Sequence, residues 1–271
     1  MQRFAFFVYG LFCHAMFLLV FLYMIGFVGN ILVPKSIDTP GGGGVGGESL
    51  PMALAINAGL LVLFGLQHSV MARPAFKRWW TRFVPQPIER STYVLISNLL
   101  MILLMWQWRP IGLTIWDVRN DTARAVLWTV FAAGWLLVPL VSLLINHFDL
   151  FGTRQVWLHL KGQAYTHLPL RSPGIYSRVR HPLYVGWMIA FWATPTMSLG
   201  HLLFATVNTA YMLIAIRFEE RDLVKLFGKA YVDYRQQVPA LIPRLTPVNL
   251  EPSAALADAV CERTEPASVA A

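Results

Sequence analysis

Charge is what this sequence most lacks. Only 13% of its 271 residues are Asp, Glu, Lys or Arg, where a soluble domain carries about 25%. That share cannot cover a soluble surface of this length, so lipid is expected to cover much of it. Cysteine is nearly absent: Cys13 sits in an apolar run and Cys261 in a polar tail, a pair that offers neither a disulfide framework nor a metal-ligand spacing. His159 and His167 stand in a loop without a metal-ligand pattern, so no metal is expected. Acid is scarcer than base, 14 residues against 22, for a formal net charge of +8. The basic residues nevertheless form no stripe that would track a nucleic acid, and none is expected as a partner. A small-residue cleavage site before Asn30 is also missing, so the first apolar run reads as a retained span.

What is abundant is apolar sequence. Hydrophobic residues make up 56% of the chain, with 10 Trp, and the mean hydropathy is +0.52. Five apolar regions stand out: Phe4 to Val28, Met52 to Val70, Tyr93 to Trp108, Ala125 to Ile145 and Tyr184 to Ile216. They are continuously apolar rather than alternating, which favours helices, and only helices or closed barrels satisfy the backbone in lipid. The fold class expected is all-α integral membrane, with about five transmembrane regions. The last region is too long for one simple span and carries Pro195, Ser198 and Gly200 at its middle. It reads as a hairpin of two shorter helices, each marginal against the roughly 20 residues that a span needs.

Loop charge gives an orientation. Loop 29–51 has one basic residue and loop 109–124 has three, whereas 72–91 and 148–182 have five each. The positive-inside rule places the latter two in the cytoplasm, together with both chain ends. The glycine run 41–47 follows Pro40 in the outer loop and lacks the strand, helix and lysine of a phosphate cradle, so it reads as a flexible linker. Residues 249–271 read as a disordered tail, leaving 1–248 as a single membrane domain. Tyr93, Trp106 and Trp108 read as membrane-belt aromatics.

Three stretches could carry chemistry. Arg180-His181-Pro182-Leu183-Tyr184-Val185-Gly186 puts two cationic donors before a proline that suits a first helical turn, at a helix end whose free N–H groups favour a carboxylate. Gly186 leaves room for another helix or a ligand. A basic interfacial flank would look similar. Glu219-Glu220 ends the hairpin, where acids beside a long apolar helix need partners; one could hold ribose hydroxyls, an amine or a sulfonium, or both could be a solvated helix end. If the hairpin folds back, these acids come level with Arg180 and His181. Tyr231 and Tyr234, three apart on one helical face, with Pro239, suit either a wall for a flat ring or an interfacial anchor.

In this order and spacing, over residues 172–245, these motifs resemble the isoprenylcysteine carboxyl methyltransferase and phospholipid methyltransferase superfamily of integral membrane enzymes. The resemblance implies a cofactor-binding segment for S-adenosyl-L-methionine on the cytosolic side, with Arg180, His181, Tyr184, Gly186, Glu219 and Glu220 at cofactor positions and Tyr231, Tyr234 and Pro239 near the adenine. The stretches 67–74, 89–94, 106–110 and 145–152 further resemble the methanethiol S-methyltransferase branch. They imply methyl transfer to a small thiol to give dimethyl sulfide, with hydrogen sulfide as a second acceptor, at a bacterial inner membrane. Attack on a methyl donor needs a thiolate. His68, beside Gln67 and Ser69, and His147 with Asp149 are the candidate bases, and Arg154 is placed to pair with Asp149 or stabilise the thiolate. Residues two apart on a helix face away from each other, so His147 and Asp149 form a dyad only if the helix ends between them. A prenylcysteine or lipid-amine methyltransferase, an NADPH-dependent membrane reductase and a transporter remain as alternatives.

Overall fold

The computed structural model describes residues 1–39, 49–166 and 174–248; the glycine run and the tail lie outside them. Five long apolar helices form the bundle: α1 (Gln2–Gly29), α2 (Leu50–Ala72), α4 (Gln86–Gln107), α5 (Asp121–Ile145) and α9 (Leu199–Phe227). The short α3 (Pro74–Trp80) joins α2 to α4, while α6 (His147–Leu150) and α7 (Thr153–Leu160) follow α5. After a 3-10 turn at Gly174–Ser177 come α8 (Pro182–Trp192) and, beyond α9, α10 (Lys229–Gln237). Prolines open α2, α3, α4 and α8, where a missing N–H costs nothing. Asn120 and Ser198 cap α5 and α9 by accepting from Ala123 N at 2.9 Å and His201 N at 3.0 Å. This is an integral, multi-pass membrane protein.

The last apolar region does fold back, with unequal arms. At 1.5 Å per residue, α8 is about 16 Å long and α9 about 44 Å, so α9 spans a hydrocarbon core of about 30 Å and α8 does not. The turn pairs with the loop after α4 in a two-stranded antiparallel ribbon, β1 (Thr114–Asp117) with β2 (Thr196–Ser198), an element the apolar pattern did not announce. Asp38 accepts from Ser198 Oγ and Asn30 Nδ2, tying the loop after α1 to the same end. Trp108 is fully buried and donates to Ile37 O at 3.1 Å. It is a core residue, not a belt residue, because its N–H has a protein partner. Trp106 is exposed, as a belt residue should be.

Helix α8 is seated by glycine. A Cβ on Gly134 would lie 2.6 Å from Ala190 N, and one on Gly186 would lie 3.2 Å from Gly134 O. The two backbones therefore touch midway along α5, so the first turn of α8 stops short of the C-terminal end of α5. The segment carrying Arg180 and His181 is thereby sunk into the bundle. Gly134→Ala is expected to overpack this contact, at about 1–3 kcal/mol, and to lower the melting temperature in detergent by several degrees.

Candidate active site

The site begins with the return of the chain. Between α8 and α10, Arg180 N donates to Pro239 O at 2.9 Å, His181 N to Ala240 O at 3.1 Å and Arg244 N to Arg178 O at 3.0 Å. The C-terminal segment thus runs along the entry to α8 and closes over it. Gly228, at φ +58°, makes the turn that sends α10 back from α9, a conformation costly for other residues. Pro239 contributes its carbonyl to this closure.

Inside the closure, residues 40 apart in sequence meet. Arg180 Nε and Nη2 donate to Glu220 Oε1 at 2.9 and 2.7 Å, and His181 Nε2 lies 3.1 Å from the same oxygen. Arg180 Nη1 donates to Arg235 O at 2.8 Å and to Val238 O. The Arg180, His181 and Glu220 side chains are 10%, 4% and 12% exposed, whereas Glu219 is 46% exposed. Glu220 is therefore the inward acid, held by the Arg180 guanidinium and the His181 imidazole. Glu219 points to the open side, with Oε2 3.8 Å from His181 Nδ1.

Glu219 has tyrosines near it. Tyr176, Tyr184 and Tyr231 all lie within its electrostatic reach. Tyr231 and Tyr234 meet edge to face at 5.8 Å, and Tyr234 OH donates to Tyr176 O at 2.8 Å. Burial pushes the Tyr234 hydroxyl up to about 12 and raises those of Tyr176 and Tyr231 as well. All three stay neutral, as hydrogen-bond donors, through the physiological range. Gly186 lies apart from this cluster, its backbone covered by α5. Of the two occupants its sequence position allowed, a helix is the one observed.

Tyr184 also connects inward, with Tyr93 and Tyr211 within its reach. Tyr93 is buried and its hydroxyl sits 2.9 Å from the His68 ring nitrogens. It is an interior residue rather than a belt aromatic, because its hydroxyl is turned to an imidazole and not to water. Ser97 Oγ lies 3.3 Å from His68 Nδ1 and donates to Gln67 Oε1, while Ser69 Oγ donates to Tyr211 OH at 3.2 Å. Arg90 covers the Tyr93 ring at 5.1 Å and donates to Leu150 O at 2.8 Å.

The other candidates fall around that hub without joining into a dyad. Helix α5 ends at Asn146, which caps α6 through Asp149 N. His147 turns back to Ser142 Oγ at 2.8 Å and meets the His14 ring at 5.0 Å. Burial, and then the neighbouring His14, hold the His147 imidazole below its ordinary value. Asp149 turns the other way, to Arg154 at 3.0 Å, Gln155 and Tyr165. Sequence reasoning did not single out Tyr93, Tyr176, Tyr211 and Arg235 as candidates, although Tyr93 lies in the stretch 89–94 and Arg235 follows Tyr234. Two clefts, of about 390 Å³ between α1 and α4 and about 210 Å³ beside the ribbon, lie away from these residues. Among the described residues no three metal-ligating side chains converge.

The polar cluster sits at one end of a bundle of apolar helices, and comparison with known proteins gives its family. The Phospholipid methyltransferase family model matches residues 130–230, the span that contains α8 and both acids. Methanethiol S-methyltransferase of Crocosphaera subtropica is 53% identical over 235 residues, covering 87% of this chain and 90% of that protein. The chain belongs to the methanethiol S-methyltransferase family. A second relative of that name, from Mycobacterium tuberculosis, is 48% identical over 243 residues, 90% of this chain and 98% of its own. A third, methanethiol S-methyltransferase 2 of Bradyrhizobium diazoefficiens, is 50% identical over 244 residues, 90% and 92% of the two chains. As a member of this family the protein is a methyltransferase, which sets aside the reductase and transporter readings. No solved structure matches.

Proposed function

We propose that this protein transfers a methyl group from S-adenosylmethionine to the sulfur of methanethiol, giving dimethyl sulfide, with hydrogen sulfide as a second acceptor. The observation that carries the reading is the meeting of Arg180, His181, Glu219 and Glu220 beside Tyr184, with His68 reached through Tyr93 on its inner side. The acceptor follows from the names of the relatives. Loop charge supports placing this end of the bundle in the cytoplasm, at a bacterial inner membrane, because Lys35, Arg109, Arg119 and Arg124 are the described basic residues of the opposite end. Residues 172–245 act as the cofactor segment of a single domain covering 1–248.

The donor set suits the cofactor. Glu219 is an accessible acid for an amine or a ribose diol, Arg235 lies 3.8 Å from Glu220 at the rim as a cation for a carboxylate, and Tyr231, Tyr234 and Pro239 supply flat walls for an adenine. When bound, S-adenosylmethionine supplies an electrophilic methyl on a sulfonium. Glu220 fixes Arg180 and His181 so that α8, α9 and the C-terminal segment hold one geometry. Tyr184 packs beside His181 in that cage, with Tyr93 within its electrostatic reach. A small alkyl thiol has a pKa above the ~8.5 of cysteine, so a base must take its proton; His68 takes the S–H proton, and Tyr93 orients the imidazole. Arg154 neutralises Asp149, which keeps that carboxylate from repelling the thiolate.

Purified protein with labelled S-adenosylmethionine and a panel of methanethiol, hydrogen sulfide, a farnesylated cysteine and phosphatidylethanolamine tests this. Volatile labelled dimethyl sulfide is expected. Label only in a prenyl or lipid product would defeat the thiol assignment.

A further inference from the structure

The short helix α3 and the turn after it carry a surface that the methyl-transfer reading does not use. Phe76 and Trp80 face inward and pack on the cluster of Met71, Tyr93 and Val94. Trp79 and Phe83 face outward, 48% and 70% exposed, their rings 5.5 Å apart. Arg78 and Arg82 flank them, both exposed and without an ion pair among the described residues. Segment 73–88 holds no acid, and its other arginine, Arg73, is already paired with Asp222 at 2.9 Å. α3 lies between the inner ends of two spans, so this surface meets the bilayer at headgroup depth.

Indole and phenyl rings settle at that depth because one end is apolar and the other wet. Arginines beside them then sit where lipid phosphates are, and a guanidinium matches a phosphate in charge and in fork geometry. We propose that Arg78, Arg82, Trp79 and Phe83 form a binding site for anionic phospholipid headgroups on the same end of the bundle as the Arg180–Glu220 pair. The partner is a lipid phosphate with an uncompensated negative charge, because a zwitterionic headgroup brings its own cation and gains little from two unpaired arginines. The surface is independent of the acceptor: it stands whichever thiol or lipid the enzyme methylates.

The test is lipid retention by the full chain reconstituted in nanodiscs of mixed phosphatidylglycerol and phosphatidylcholine, read by native mass spectrometry. Wild-type protein is expected to retain phosphatidylglycerol preferentially. Arg78→Gln with Arg82→Gln should cut that preference by roughly fivefold per arginine. Arg78→Lys with Arg82→Lys should keep most of it, and Arg119→Gln, at the opposite end, should leave it unchanged. An unaltered melting temperature of the double glutamine variant separates lost binding from lost folding. Equal phosphatidylglycerol retention by wild type and the folded glutamine variant overturns the proposal, as does loss in Arg119→Gln of the same size. Retention of an acidic protein in place of lipid overturns it too.

Discussion

Glu220→Ala is expected to lower affinity for S-adenosylhomocysteine by about tenfold to several hundredfold, and to cost stability as well. Glu220 Oε1 receives two bonds from Arg180 and one contact from His181, and all three side chains are almost fully covered. Removing the acid leaves the covered Arg180 guanidinium without the carboxylate it donates to, and breaking a buried pair from one side costs about 3–5 kcal/mol. At 1.4 kcal/mol per factor of ten, even half of that appearing in binding gives a tenfold loss, and the whole gives several hundredfold. Glu219→Ala provides the contrast. Its side chain is 46% exposed and makes only a 3.8 Å approach to His181, so the melting temperature should barely move while affinity falls roughly tenfold through one lost charge-assisted contact. Isothermal titration with S-adenosylhomocysteine, paired with thermal melting, separates the two roles. Equal effects of the two alanines on both readouts would contradict the assignment of one acid to the frame and the other to the ligand.

His68→Ala should lower kcat for methanethiol by about 10² to 10⁴, the usual range for a general base, with S-adenosylhomocysteine affinity unchanged. The pH dependence gives the sign. Without a base, the rate follows the thiolate fraction, so it should rise about tenfold per pH unit below the pKa of the thiol. The wild-type profile should be flatter over that range. Tyr93→Phe should fall between them, at about fivefold in kcat, since it removes one hydrogen bond worth about 1 kcal/mol and leaves the imidazole in place. Labelled-methyl transfer measured from pH 6 to 9 checks all three. A His68→Ala enzyme with wild-type kcat and a flat profile would move the base to His147.

The spans were legible in the sequence because continuous apolar runs have one solution in lipid. Helices α1, α2 and α5 each contain their apolar run, and α4 contains all of its run but Trp108. The fold-back of residues 184–216 was also legible, from Pro195, Ser198 and Gly200. Its asymmetry was not, because hydropathy counts residues and does not see that α8 is seated by a Gly134–Gly186 contact. At the site, the fold-back puts Arg180 and Glu220 on the same side of the bundle, which was legible, but their meeting across arms of unequal length was not. Which acid turns inward depends on helix rotation, which two adjacent glutamates leave open. Tyr93 was hidden for a different reason. An aromatic residue near a helix end has the sequence signature of a belt, and only the position of His68 one helix away makes its hydroxyl part of a site. His147 and Asp149 show the reverse: the helix breaks at Asn146, before both, and two residues apart on α6 they turn to different partners.

Ultraviolet photolabelling with methyl-labelled S-adenosylmethionine, followed by peptide mapping, addresses the donor cage most directly. Label is expected in peptides spanning 174–186 and 215–240, displaced by S-adenosylhomocysteine and lost in Glu219→Ala. Displaceable label confined to α2 and α4, or to the ribbon end of the bundle, would contradict a cage built where α8, α9 and the returning C-terminal segment meet.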